Sequence, residues 1–125
     1  MRYDANDRPH SATWLKLDET ERVDAVMAYH RRIGVKLENP ELHAITHVVV
    51  ENQIALGEPT PVPDTLNRLV DEGLDRHEAI HAVGSVLMSI VFDVSYAPDV
   101  AGDINARYSQ ELVKLTAAGW RSQAE

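Results

Sequence analysis

Two pairs of histidines at a spacing of four, His43/His47 and His77/His81, constrain this chain more than any other feature of its sequence. Residues four apart lie one above the other on one face of an α-helix. Two imidazoles so placed can hold one metal ion, and two such helices packed together would offer four nitrogens. About a quarter of one such pair is expected by chance at this histidine content. Glu51 extends the first pair by a further turn, and Glu78 lies inside the second, which reads His77-Glu78-Ala79-Ile80-His81.

The punctuation around these pairs is helical. Asp18 to Glu21 carries a cap and first-turn acids, and Gly34 stops a helix that runs to about Arg32. Asn39-Pro40 opens a helix over residues 41–57 with proline at its first position. Residues 58–63, EPTPVP, are expected to form a stiff extended linker. A short helix follows, capped by Asp64 or Thr65 and stopped by Gly73. Asp75 opens the most apolar helix, residues 75–94, with Glu78 at capping-box spacing. Tyr96-Ala-Pro-Asp99 breaks the chain, and a last helix is expected over residues 100–118, closing at Gly119. Residues 1–12 are expected to be a poorly ordered lead-in. No segment reads as a convincing strand, so the expected fold is all-α: one compact domain of about five helices.

Composition narrows the function classes. The chain has 125 residues, 44% of them apolar, enough for one domain with a real core. It has no cysteine, which excludes disulfides, thiolate zinc sites and a cysteine nucleophile, and suits a cytoplasmic location. The first residues do not form a signal peptide, and the longest apolar run, residues 86–92, is too short to span a bilayer. No membrane partner is therefore expected. A net charge of −8 disfavours nucleic acid as a partner.

On helical wheels, His43, His47, Val50, Glu51 and Ile54 share a stripe in the first histidine helix. His77, His81, Gly84, Ser85 and Met88 share one in the second. Each stripe borders an apolar face, so packing could bring them together. Neutral imidazole suits Zn, Fe, Ni or Cu, and an added carboxylate suits Zn or Fe(II). The expected cofactor is a divalent metal, zinc first, with iron or manganese as alternatives. His43, His47, His77 and His81 are the candidate ligands, and Glu51 is a fifth ligand or a group that orients a histidine. Glu78 is a candidate base for a metal-bound water, or only a helix cap. The competing reading is that the histidines are half-buried core residues bonded to carbonyls or carboxylates.

The second pair also matches the zincin pattern, in which two histidines bind zinc and the glutamate activates water. The third metzincin histidine position holds Leu87, and the motif starts a helix, so a peptidase is disfavoured. Residues 65–87 also have the cadence of a helix-turn-helix. Residues 77–94 contain no lysine or arginine to read bases, so an ordinary αα-hairpin is the better reading. A helical interaction module is the third possibility. In it Trp14 and Trp120 would clasp the bundle ends or form a homodimer contact, although core packing is their more ordinary role.

The segments LHAITHVVVENQIALGEP and TLNRLVDEGLDRHEAIHAVGSVL resemble a family of small bacterial proteins known only as a domain of unknown function. The shared pattern is His-x-x-x-His-x-x-x-Glu-x-Gln followed by Gly-Leu-x-x-His-Glu-Ala-x-His, and Tyr29–Arg32 resembles the family more weakly. The resemblance implies a compact helical fold and a functional histidine cluster. It picks out His43, His47, Glu51, Gln53, His77, Glu78 and His81, and implies no particular reaction.

Overall fold

A computed structural model describes residues 1–57, 60–100 and 102–124. These form seven α-helices and one 3-10 turn: α1 Ser11–Lys16, α2 Glu19–Ile33, α3 Pro40–Leu56, α4 Val62–Asp71, α5 Arg76–Tyr96, the turn Pro98–Val100, α6 Ile104–Lys114 and α7 Ala117–Ala124. No strand occurs among the described residues, so the protein is all-α, with two more helices than the sequence suggested.

Local chemistry sets most of the boundaries. Asp18 accepts from the Glu21 amide while Glu21 returns a bond to the Asp18 amide, a complete capping box for α2. Gly34, in the left-handed region at φ 75°, ends that helix. Asn39 caps α3 through the Leu42 amide, with Pro40 at its first position. Asp75 caps α5 through the Glu78 amide.

Four expectations need correction. The first twelve residues are anchored: Tyr3 and Ala5 are buried, and Ser11 opens α1. Arg32 donates to the Tyr3 carbonyl at 2.5 Å and Arg76 to the Ala5 carbonyl at 3.0 Å, so two guanidiniums fix the segment. Positions 58 and 59 of the expected linker lie outside the described residues. Its last two, Val62 and Pro63, belong to α4, because Val62 is fully buried and proline suits a first helical turn. The expected last helix is two helices. Thr116 lies between them, accepts the Gly119 amide at 3.0 Å, and starts α7, so Gly119 and Trp120 lie inside a helix. Finally, α5 has 21 residues and contains an 18-residue window with a mean hydropathy of 1.5, long and apolar enough to cross a membrane by length and composition. A count of the apolar run at residues 86–92 does not register this, because the helix is apolar on average across interruptions such as His81, Gly84 and Asp93.

The helices bury two apolar clusters. One gathers Leu66, Leu69, Ile80, Val83 and Leu112 from α4, α5 and α6. The other gathers Tyr3, Trp14, Val26, Tyr29 and Val48 from the first residues, α1, α2 and α3. Helix α3 contributes to both clusters, and it approaches α5 of the first cluster closely at Gly84. A Cβ there would meet the Thr46 Cγ2 at 2.9 Å, so glycine is what permits the two histidine-bearing helices to touch.

Candidate metal centre

Close contact between α3 and α5 brings His43, His47, His77 and His81 together, and α2 adds a fifth histidine, His30. One ring nitrogen from each lies within 4.8 Å of all the others. An ion bound at about 2.0–2.1 Å to each nitrogen needs separations of about 4.2 Å or less. Small side-chain rotations close that gap. Adjacent ligand nitrogens would then be about 2.9–3.4 Å apart, depending on coordination geometry. The Nε2 atoms already stand 3.2 Å apart for His43 and His30, 3.1 Å for His81 and His43, and 3.0 Å for His81 and His47.

Two of these rings have their tautomer assigned by the partner of the other nitrogen. His30 Nδ1 lies 2.9 Å from the Val26 carbonyl, which can only accept, so the proton is on Nδ1 and Nε2 carries a lone pair. His47 Nδ1 lies 3.3 Å from the Tyr3 hydroxyl, which gives its own proton to Glu51 Oε2 at 2.5 Å. The hydroxyl is then the acceptor, and His47 Nε2 is also a bare lone pair. Burial first, and then the neighbouring Glu51, hold the Tyr3 hydroxyl well above its usual titration range, so its proton stays available.

Protons alone cannot satisfy the four Nε2 atoms. An imidazole nitrogen has one in-plane direction, holding either a lone pair or an N–H. If His43 donates to His30 and His81 donates to His47, two N–H groups face each other at 3.1 Å. If either proton is moved, two lone pairs face each other at 3.0 or 3.2 Å. His77 adds to this. Its Nδ1 lies 3.5 Å from the Tyr29 hydroxyl, while its buried Nε2 has no hydrogen-bond partner, the only such side-chain atom among the described residues.

The rings are held neutral. Burial, followed by His30 and His77, lowers His43 to about 4. Burial, followed by His77, His43 and His30, lowers His81 to about 3. Burial is also the largest cause of the downward shifts of His30, His47 and His77. At neutral pH the cluster therefore offers lone pairs without first shedding protons.

The two candidate carboxylates lie outside the cluster. Glu51 is 1% exposed and takes both arms of the Arg76 guanidinium, at 2.6 and 2.7 Å, besides the Tyr3 hydroxyl. It reaches His47 only through Tyr3. Glu78 is exposed and accepts from the Trp120 indole at 2.7 Å, so the reciprocal arm of its expected capping box is absent. Gln53 accepts from the Tyr108 hydroxyl at 2.9 Å and serves the helix packing.

Sequence spacing did not reveal His30. It has no partner four residues away, and α2 reaches the cluster by tertiary packing. The available signal was its place in Tyr29–Arg32, the weaker of the family-like segments. Tyr3 gave no signal at all.

A small helical bundle around a buried, neutral, five-imidazole cluster is the class of protein this arrangement defines. Within that class the chain belongs to the family described as a domain of unknown function, DUF1841, which it matches over residues 13–103. The matched region contains all five histidines, while Tyr3 and Trp120 lie outside it. No curated protein and no solved structure matches the chain.

Proposed function

We propose that this protein binds one divalent transition-metal ion through His30, His43, His47, His77 and His81. The observation that carries the reading is the set of three Nε2 contacts at 3.0–3.2 Å, which no placement of protons satisfies and one cation would. An all-nitrogen donor set suits zinc first, and also iron, nickel or copper. Manganese, which favours oxygen donors, fits less well because no carboxylate joins the cluster. The Val26 carbonyl and the Tyr3–Glu51–Arg76 chain orient His30 and His47 as hydrogen-bonded supports do in metal sites.

The geometry favours binding over hydrolysis. A hydrolytic use needs a base near a metal-bound water, and Glu78 is engaged by Trp120 while Glu51 is engaged by Arg76. Elemental analysis of untagged protein tests the reading. About one equivalent of metal is expected. His47→Ala, His81→Ala and His30→Ala should each lower it, the last being decisive because His30 belongs to neither spaced pair. Metal far below one equivalent after reconstitution would leave the histidines as packing residues.

A further inference from the structure

Beside the cluster, between the first turns of α3 and the middle of α5, lies an open cavity of about 440 Å³. Its inner wall includes His43, His47 and His81, but not His30 or His77. An ion in the cluster would thus have two ligands behind it and a face toward the cavity. The remaining walls are mostly apolar: Leu42, Ile80, Met88 and Trp120, whose indole N–H is already bonded to Glu78. At the rim stand Glu38 and the α3 cap Asn39.

We propose that this cavity binds a small organic monocarboxylate with an apolar body, its carboxylate directed at the metal position. The inference rests on the metal reading above. Charge supplies the first argument. All five ligands are neutral imidazoles, and the nearby Glu51 is neutralised by Arg76, so a bound ion keeps its full positive charge in a half-buried site. An anionic oxygen donor is the group that compensates it. The walls supply the second argument, since they offer hydrocarbon rather than hydrogen bonds to whatever follows the carboxylate. The Glu38 carboxylate at the rim repels a second negative charge, which selects monoanions over dicarboxylates.

The test is isothermal titration calorimetry of the metal-loaded protein with acetate, butanoate and hexanoate, with hexylamine and adipate as controls. Each added methylene should tighten binding about fourfold, the value for transferring one methylene out of water. Hexanoate should bind at least tenfold more tightly than hexylamine or adipate, and should lose that affinity when the metal is removed. Ser85→Phe, at an exposed position lining the cavity, should weaken hexanoate at least tenfold with metal content unchanged; Leu42→Trp is the second filling variant. Protein with a full equivalent of metal that gives no heat with any carboxylate would overturn this inference alone. So would equal binding of hexylamine, or equal binding of hexanoate by metal-free protein. Failure of the metal reading is seen separately, in the elemental analysis made before any ligand is added, and would overturn both.

Discussion

The two buried clusters of this molecule are built on different chemistry. The one around Leu69, Ile80 and Leu112 is almost wholly aliphatic and could exchange one hydrocarbon for another of similar volume at small cost. The one around Tyr3, Trp14 and Tyr29 is tied by directed polar contacts: the Tyr3 hydroxyl to Glu51, the Trp14 indole to Asn52 at 2.9 Å, and arginines to the carbonyls of Tyr3 and Ala5. The histidines adjoin this second cluster. Tyr29 packs edge-on against His30 and His77, and Tyr3 against His47. The aliphatic cluster supplies bulk stability, and the polar-tied one sets which way the imidazoles point.

The sharpest way to break that contrast is Glu51→Ala. It leaves Arg76, 11% exposed, without its partner, and should cost about 3–5 kcal/mol in urea denaturation. It should also weaken metal binding about tenfold to a hundredfold, because Tyr3 loses the acceptor that fixes the His47 tautomer. Next in size, Leu69→Ala should cost about 3 kcal/mol through the cavity it leaves, with metal content unchanged. If Leu69→Ala emptied the metal site as Glu51→Ala does, the two halves would not be separable.

Acid should act on the histidine side. Unfolded histidines take up protons near pH 6.5, whereas folded His43 does so at about 4 and folded His81 at about 3. Between those values the unfolded chain binds more protons, so the metal-free protein should lose stability as pH falls from about 6.5 to about 3. Thermal melts across that range check it, and His81→Ala should shrink the loss while Leu69→Ala leaves it. The smallest expected effect is that of Tyr3→Phe. Losing one hydroxyl should cost about 1 kcal/mol of stability, yet weaken metal binding by about tenfold through His47.

The same contrast explains what was legible in the sequence. Helix caps at Asp18, Asn39 and Asp75 and the spacing of His43/His47 and His77/His81 are local facts, and the structure repeats them. Helix α1 and the Leu115–Thr116 break were not legible. One is a six-residue helix whose His10 cap makes no side-chain bond, and the other turns on a single threonine side chain. In the site, four of the converging histidines were visible from spacing, but His30 required knowing that α2 packs on α3. Glu51 was visible as a member of the histidine stripe, but its engagement by Arg76 was not. That arginine immediately precedes His77, and only the fold carries it 25 positions back to Glu51.

The histidines come from three helices, and the outermost two, His30 and His81, are far apart in the chain. An ion held by both would act as a cross-link in a protein that has no cysteine to form one. It would close a loop of about fifty residues, the length at which a covalent tie removes several kcal/mol of unfolded-chain freedom. Loss of the ion would then be felt at every residue inside that loop, including the α2–α3 connection, which touches no metal at all.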